Sequence, residues 1–283
     1  MSELSSVGIV GSGIMGSGLA EVAAKAGYHV TVRSRSRDGA TTVVATLHAA
    51  LDKQVAGGRL EADERDAVLG RVRSTAQLGD LADCDLVIES VVEDLPTKRA
   101  LFTELEKIVK PSAILATNTS TLPVVELAMA TERPDQVCGI HFFNPAPAMS
   151  LVEVVRPITA SDDTIKTALG FVTTCGKSGI EVVDRAGFVV NALLFPYLNN
   201  AVRMLEHGTA SMEDIDAAMC GGCNFPMGPF ALLDLVGLDT SLAILDALYA
   251  EFRDPNYAAV PTLRRKVAAG QLGRKSGAGF YRY

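Results

Sequence analysis

Apolar residues recur in two rhythms along this chain. Up to about residue 184, short apolar runs alternate with amphipathic stretches. The runs at 7–10, 29–32, 86–90, 113–117 and 137–141 have the length and β-branched content of strands. The stretches at 13–26, 41–56, 97–109 and 124–130 repeat their apolar positions at helical spacing. Strand and helix in alternation predict a mostly parallel sheet with helices on both faces. Residues 38–70 carry more helix than one crossover needs. They predict two antiparallel helices standing off the sheet, with the turn at Gly57-Gly58.

Beyond Gly187 the strand runs stop. Residues 188–205 read as one long apolar helix with Pro196 inside it, where a kink is expected. Further helices are predicted at 211–220, 229–236, 240–252 and 262–269. The change of rhythm near Asp184-Arg185 divides the chain into an α/β domain, 1–184, and an all-helical domain, 185–283. So apolar a helical domain predicts burial against a second copy, as a homodimer.

Composition narrows the class. At roughly 150 residues per domain, 283 residues make two. The formal net charge of -7 argues against a nucleic-acid partner. No apolar run reaches the roughly 18–20 residues that cross a bilayer, and the first residues do not read as a signal peptide. A soluble cytoplasmic protein is the expectation. The five cysteines, at 84, 138, 175, 220 and 223, are dispersed and odd in number, which suits a reducing compartment. Cys220 and Cys223 form a C-x-x-C pair with no second pair nearby, so packing at a helix end is the better reading and no metal is expected.

The strongest local signal is Gly11-Ser12-Gly13-Ile14-Met15-Gly16, directly after the first strand and opening the first helix. In that context G-x-G-x-x-G is a dinucleotide-binding loop. Gly11 permits the tight turn, Gly13 lets backbone approach the pyrophosphate, and Gly16 lets helix pack on strand. The helix N-terminus turns its free N–H groups to the phosphates. The domain is therefore expected to be of the Rossmann type, with Gly11, Gly13, Ile14, Met15 and Gly16 on the cofactor.

An acid at the end of the second strand would select NAD by binding the adenosine ribose. This chain reads Arg33-Ser34-Arg35-Ser36-Arg37, with no carboxylate before Asp38. Ser34 stands where the acid is expected. A hydroxyl and a guanidinium, from Ser34 and Arg35, can instead donate to a 2′-phosphate. NADP(H) is thus favoured over NAD(H).

A second constellation pairs His141 with Glu153. His141 ends a strand, residues 143–147 read as a turn, and 151–155 as a returning strand. Pairing about Pro147 sets 141 opposite 153, within hydrogen-bonding reach. A carboxylate on one ring nitrogen fixes the tautomer and strengthens the other nitrogen as a base. That suits removal of a hydroxyl proton as hydride leaves the same carbon.

Seven motifs in order carry a resemblance: Met15-Gly16, Val91-Val92-Glu93, Asn118-Thr119-Ser120, His141-Phe142-Phe143-Asn144-Pro145, Gly187-Phe188-Val189-Val190-Asn191, Pro226-Met227-Gly228-Pro229 and Gly277-Ala278-Gly279-Phe280-Tyr281. Nearly the whole chain resembles the 3-hydroxyacyl-CoA dehydrogenase family in its short, 3-hydroxybutyryl-CoA form. The resemblance implies an enzyme that interconverts (S)-3-hydroxyacyl-CoA and 3-oxoacyl-CoA with a nicotinamide cofactor. It implies His141 as general base, oriented by Glu153, with Ser120 and Asn191 on the substrate's 3-oxygen and the site closing between domains. It puts Glu93, Lys98, Asn118 and Asn144 near the ribose and nicotinamide. A solvated helix start is the plainer reading of Glu93 and Lys98.

Two features depart from the family. It commonly has Asp at the place of Ser34. It also commonly carries several basic residues near 49–59, facing the CoA phosphates, where this chain keeps only Lys53 and Arg59. An acyl-carrier-protein thioester or a free hydroxy acid is therefore the alternative substrate. A non-catalytic dinucleotide-binding protein is a third reading, opposed by the intact set Ser120, His141, Glu153 and Asn191.

Overall fold

A computed structural model describes residues 4–283. The chain divides into two compact units, one ending at Asp184 and the other running Arg185–Tyr283.

The first unit is built on one sheet of eight strands: β1 (Ser6–Val10), β2 (His29–Arg33), β3 (Val72–Thr75), β4 (Leu86–Glu89), β5 (Ile114–Thr117), β6 (Val137–Phe142), β7 (Leu151–Arg156) and β8 (Ser178–Val183). Their order is β3-β2-β1-β4-β5-β6-β7-β8. All neighbours are parallel except β6 and β7. The chain moves outward from β1 through β2 to β3, then crosses back to β4 on the other side of β1. Open α/β sheets bind ligands at such a reversal, beyond the carboxyl ends of the strands.

β4, β5 and β6 are buried at every residue. That is why they read as continuous apolar runs rather than alternating ones. Three elements carry no such signal. β3 (VRST) and β8 (SGIEVV) are edge strands with one buried residue between them, Val182. The helix α6 (Asp162–Thr174) lies in a stretch whose apolar positions are diluted by threonines.

The remaining helices of this unit are α1 (Ile14–Lys25), α2 (Arg37–Ala56), α3 (Ala62–Gly70), α4 (Leu95–Ile108) and α5 (Val124–Ala128). α2 and α3 are the expected helix pair about Gly57-Gly58, linked by Arg65 to Asp52 at 2.7 Å. The pair does not simply stand off the sheet. Val43, Leu47, Leu51 and Val68 join the same core as β1 and β2. Burying each such side chain contributes about 1.5–3 kcal/mol, enough to hold a helix whose outer face is threonine and alanine.

The second unit comprises α7 (Val190–Glu206), α8 (Met212–Cys223), α9 (Pro229–Val236), α10 (Leu238–Phe252) and α11 (Pro261–Ala268). α7 starts two residues later than its apolar pattern suggests, because Gly187 and Phe188 both take positive φ and turn the chain first. It continues through Pro196. Two carboxylates organise this unit. Asp216 accepts from the Phe230 and Ala231 N–H groups, at 2.8 and 3.1 Å, and so caps α9. Asp234, wholly buried, accepts from Phe280 and Tyr281 N–H at 2.8 Å each and fixes the last residues of the chain. A Cβ on Gly279 would lie 2.0 Å from an Asp234 oxygen, so the closing glycine motif is a packing requirement. Cys220 and Cys223 lie in the last turn of α8. Among the described residues no helix is long and apolar enough to cross a membrane.

Candidate active site

The glycine loop, Ser34, Glu89, Glu93, Asn118, Ser120, His141 and Asn144 lie at or a few residues beyond the carboxyl ends of β1, β2, β4, β5 and β6, while Glu153 lies within β7 and Lys98 in the first turn of α4. The glycine loop follows β1. Gly11 has φ of +127°, and a Cβ there would come within 2.2 Å of the Ser90 carbonyl oxygen. A Cβ on Gly16 would be 2.0 Å from the Gly11 oxygen. Gly16 thus fits the helix against its own loop more than against the strand. Gly13 differs from both: no atom lies within 4 Å of its Cβ position. It is the N-cap of α1, with no acid in the first turn, so unscreened N–H groups border open space. That cradle fits the pyrophosphate of a dinucleotide. Ile14 is 77 % exposed beside it, and Met15 is half-buried.

Ser34, just past β2, is buried, and its hydroxyl lies 2.9 Å from that of Ser12 in the glycine loop. Its oxygen also sits against Gly39 in the first turn of α2. Ser34 is thus already hydrogen-bonded, and Ser12, which the loop pattern treats as a spacer, shares the position. Arg35 is exposed. Arg33, the last residue of β2, has a buried Nε with no partner among the described residues. An acceptor is what that atom lacks.

His141 and Glu153 are register partners across β6 and β7. Glu153 is fully buried, and its Oε2 lies 2.8 Å from His141 Nδ1. The geometry fits the tautomer in which Nδ1 donates to Glu153 and Nε2 faces the Ser120 side. Ser120 Oγ lies 3.1 Å from Nε2. The Phe143 ring packs on the imidazole, centroids 4.6 Å apart. Asn118 sets the end of β6, its Oδ1 accepting from Phe142 N–H at 2.8 Å. Asn144, in the following turn, is exposed.

Glu93 and Lys98 divide differently from expectation. The Glu93 side chain is 40 % exposed, whereas Lys98 is 1 % exposed and its ammonium lies 2.9 Å from both Glu93 and Glu89. A solvated helix start therefore describes Glu93 in part and Lys98 not at all. Burial by itself pushes the Glu93 carboxyl up. The Lys98 charge, the Thr119 hydroxyl and the Ser120 N–H outweigh that and hold it below the usual carboxylate range. Glu89, fully buried at the end of β4, has no counterpart among the residues singled out by pattern. The only hint is an acid closing the apolar run Leu86-Val87-Ile88. Lys53 and Arg59, at and just beyond the last turn of α2, are both exposed. In the helical unit, Asn191 is the second residue of α7 and is buried.

Comparison with known proteins decides the family. Residues 6–185 match the NAD binding domain of 3-hydroxyacyl-CoA dehydrogenase, and residues 187–283 match its C-terminal domain. The chain belongs to the 3-hydroxyacyl-CoA dehydrogenase family. This dehydrogenase is 47% identical over 279 residues to a 3-hydroxybutyryl-CoA dehydrogenase of Mycobacterium tuberculosis, a match covering 98% of each chain. Its fold superimposes on the crystal structure of M. tuberculosis FadB2 with TM-score 0.97, at 46% identity and 100% of both chains. It also superimposes on (S)-3-hydroxybutyryl-CoA dehydrogenase PaaH1 from Ralstonia eutropha with TM-score 0.97, at 40% identity and 99% of each chain. The Rossmann-type sheet followed by a helical domain is shared with both, and the NAD binding domain carries the dehydrogenase's nicotinamide cofactor.

Proposed function

We propose that this dehydrogenase interconverts (S)-3-hydroxyacyl-CoA and 3-oxoacyl-CoA, with a short acyl chain of the 3-hydroxybutyryl type. The observation that carries this is His141 held between Glu153 and Ser120. With Nδ1 donating to Glu153, Nε2 takes the proton of a substrate hydroxyl and returns it to a 3-oxo group. The buried Glu153 stabilises the imidazolium that forms. Ser120 and Asn191 hold the 3-oxygen. The bound nicotinamide supplies the hydride chemistry. Asn118, Asn144, Glu93 and Lys98 serve its ribose and nicotinamide end, Lys98 by fixing Glu93. Lys53 and Arg59 meet the CoA phosphates.

The cofactor preferred is NADP(H). Support comes from the missing acid at the end of β2, from Ser34 bonded to Ser12 in its place, and from the exposed Arg35 that follows. A 2′-phosphate is a charged acceptor for the Arg35 guanidinium. The assembly is a homodimer formed through the helical unit, where Leu193 and Leu235 are 73 and 50 % exposed. Steady-state reduction of acetoacetyl-CoA with NADPH and with NADH tests the reading. Turnover with NADPH at the higher kcat/KM is expected. No turnover with either cofactor overturns the activity, and a preference for NADH overturns the cofactor assignment.

A further inference from the structure

We infer that Glu89 is a positioning residue for the reaction: from the end of β4 it fixes the loop that aims Ser120 at His141. The inference rests on the catalytic reading of Ser120 and His141 given above. Glu89 touches neither of them. It is a wholly buried carboxylate with three partners: Val91 N–H at 2.6 Å, the Thr117 hydroxyl at 2.7 Å and the Lys98 ammonium at 2.9 Å.

Two of those partners lead to Ser120 by separate routes. Thr117 donates its hydroxyl proton to Glu89 and so turns a lone pair to Thr119 N–H, at 3.2 Å. Lys98 reaches on to Glu93, whose Oε1 accepts from Ser120 N–H at 3.0 Å and from the Thr119 hydroxyl. The backbone on both sides of Thr119 is thereby held by groups that terminate on one carboxylate. Ser120 Oγ, 3.1 Å from His141 Nε2, hangs from that backbone.

Stability alone does not call for this arrangement. A buried ion pair replaced by apolar side chains is often neutral or better. What the charges add is direction. Glu93 lies at the rim with 40 % of its side chain exposed, and an exposed carboxylate left to itself samples many rotamers. Lys98 removes that freedom by holding Glu93 and Glu89 together, 2.9 Å from each. Glu89 is the half of that clamp away from solvent.

The test is a double-mutant cycle on the full-length enzyme, with kcat and KM for acetoacetyl-CoA measured for wild type, Glu89→Gln, Ser120→Ala and the pair. Glu89→Gln is expected to lower kcat about ten-fold while KM for the thioester changes less than about three-fold. In the Ser120→Ala background the same substitution is expected to lower kcat less than about three-fold, because its effect passes through the missing hydroxyl. Equal losses in both backgrounds overturn the inference and leave Glu89 a fold residue. Wild-type kcat for Ser120→Ala alone overturns the catalytic reading instead, so the two failures are distinct. If Glu89→Gln does not fold, Thr117→Val interrupts one route, and additivity with Ser120→Ala is again the overturning result.

Discussion

His141 faces Glu153 across the antiparallel β6–β7 pair, with Nδ1 2.8 Å from Oε2. The relationship orders the losses expected on mutation. His141→Gln removes the base and is expected to lower kcat by about 10²–10⁴-fold. Glu153→Gln keeps the imidazole but not the buried negative charge, and is expected to lose less. Both are expected to bind the cofactor as wild type does, since the glycine loop is untouched. Near-normal turnover for His141→Gln would show that another group moves the proton.

The end of β2 predicts a cofactor swap. Ser34→Asp with Arg35→Ile supplies the acid that selects NAD at the end of a second Rossmann strand and removes an exposed cation. One charge-assisted hydrogen bond is worth roughly 1.5–3 kcal/mol. The NADPH to NADH ratio of kcat/KM is therefore expected to fall by about 10- to 150-fold. A ratio that does not move means that Ser34 and Arg35 do not face the 2′ position.

Gly13 and Gly16 are expected to fail differently when changed to alanine. Gly16→Ala drives a Cβ to 2.0 Å from the Gly11 oxygen, so the apoprotein loses melting temperature. Gly13→Ala meets no atom within 4 Å and has φ of -77°, so the apoprotein keeps its melting temperature. Its methyl fills part of the open space before the N-terminus of α1, and the cofactor Kd is expected to rise. Unchanged cofactor affinity in a folded Gly13→Ala variant would argue against that cradle.

Asp85 gives a pH dependence. Burial alone pushes its carboxyl up, but the Lys110 ammonium and the Ser5 and Ser6 donors outweigh it and hold the carboxyl far below the usual range. A pKa depressed on folding contributes stability above the unfolded value, about 3.9, and loses it as pH falls towards the folded value. Asp85→Asn is expected to melt lower than wild type at pH 7. The gap should close below about pH 4. A gap independent of pH would assign the loss to packing.

The thiols predict a labelling order. Burial pushes Cys84 up to about 11 and Cys138 up to about 12, while Cys223 is exposed at the end of α8. With a thiol reagent at pH 8, Cys223 is expected to react first, and Cys84 and Cys138 only on unfolding. Cys223→Ser should remove the fast phase. A fast phase that survives this change would place a second reactive thiol at the surface.

Strands buried on both faces announce themselves, and so β1, β4, β5 and β6 and the helices between them were legible as runs and periods. The glycine loop was legible because its residue types follow from backbone geometry alone. The His141–Glu153 register was legible because a hairpin centred on Pro147 fixes which residues oppose. Edge strands β3 and β8 were not, since one-sided burial demands few apolar residues. Nor was the polar scaffold behind Ser120. Glu89 ends β4, Glu93 lies in the loop after it, Lys98 is in the first turn of α4 and Thr117 ends β5; the β4–β5 pairing sets Thr117 2.7 Å from Glu89, and the return of α4 sets Lys98 2.9 Å from both Glu89 and Glu93. Sequence carries the periodicity of burial and the demands of a turn, because both act between near neighbours along the chain. A buried charge is decided by what the fold sets against it, and that is a property of the tertiary structure alone.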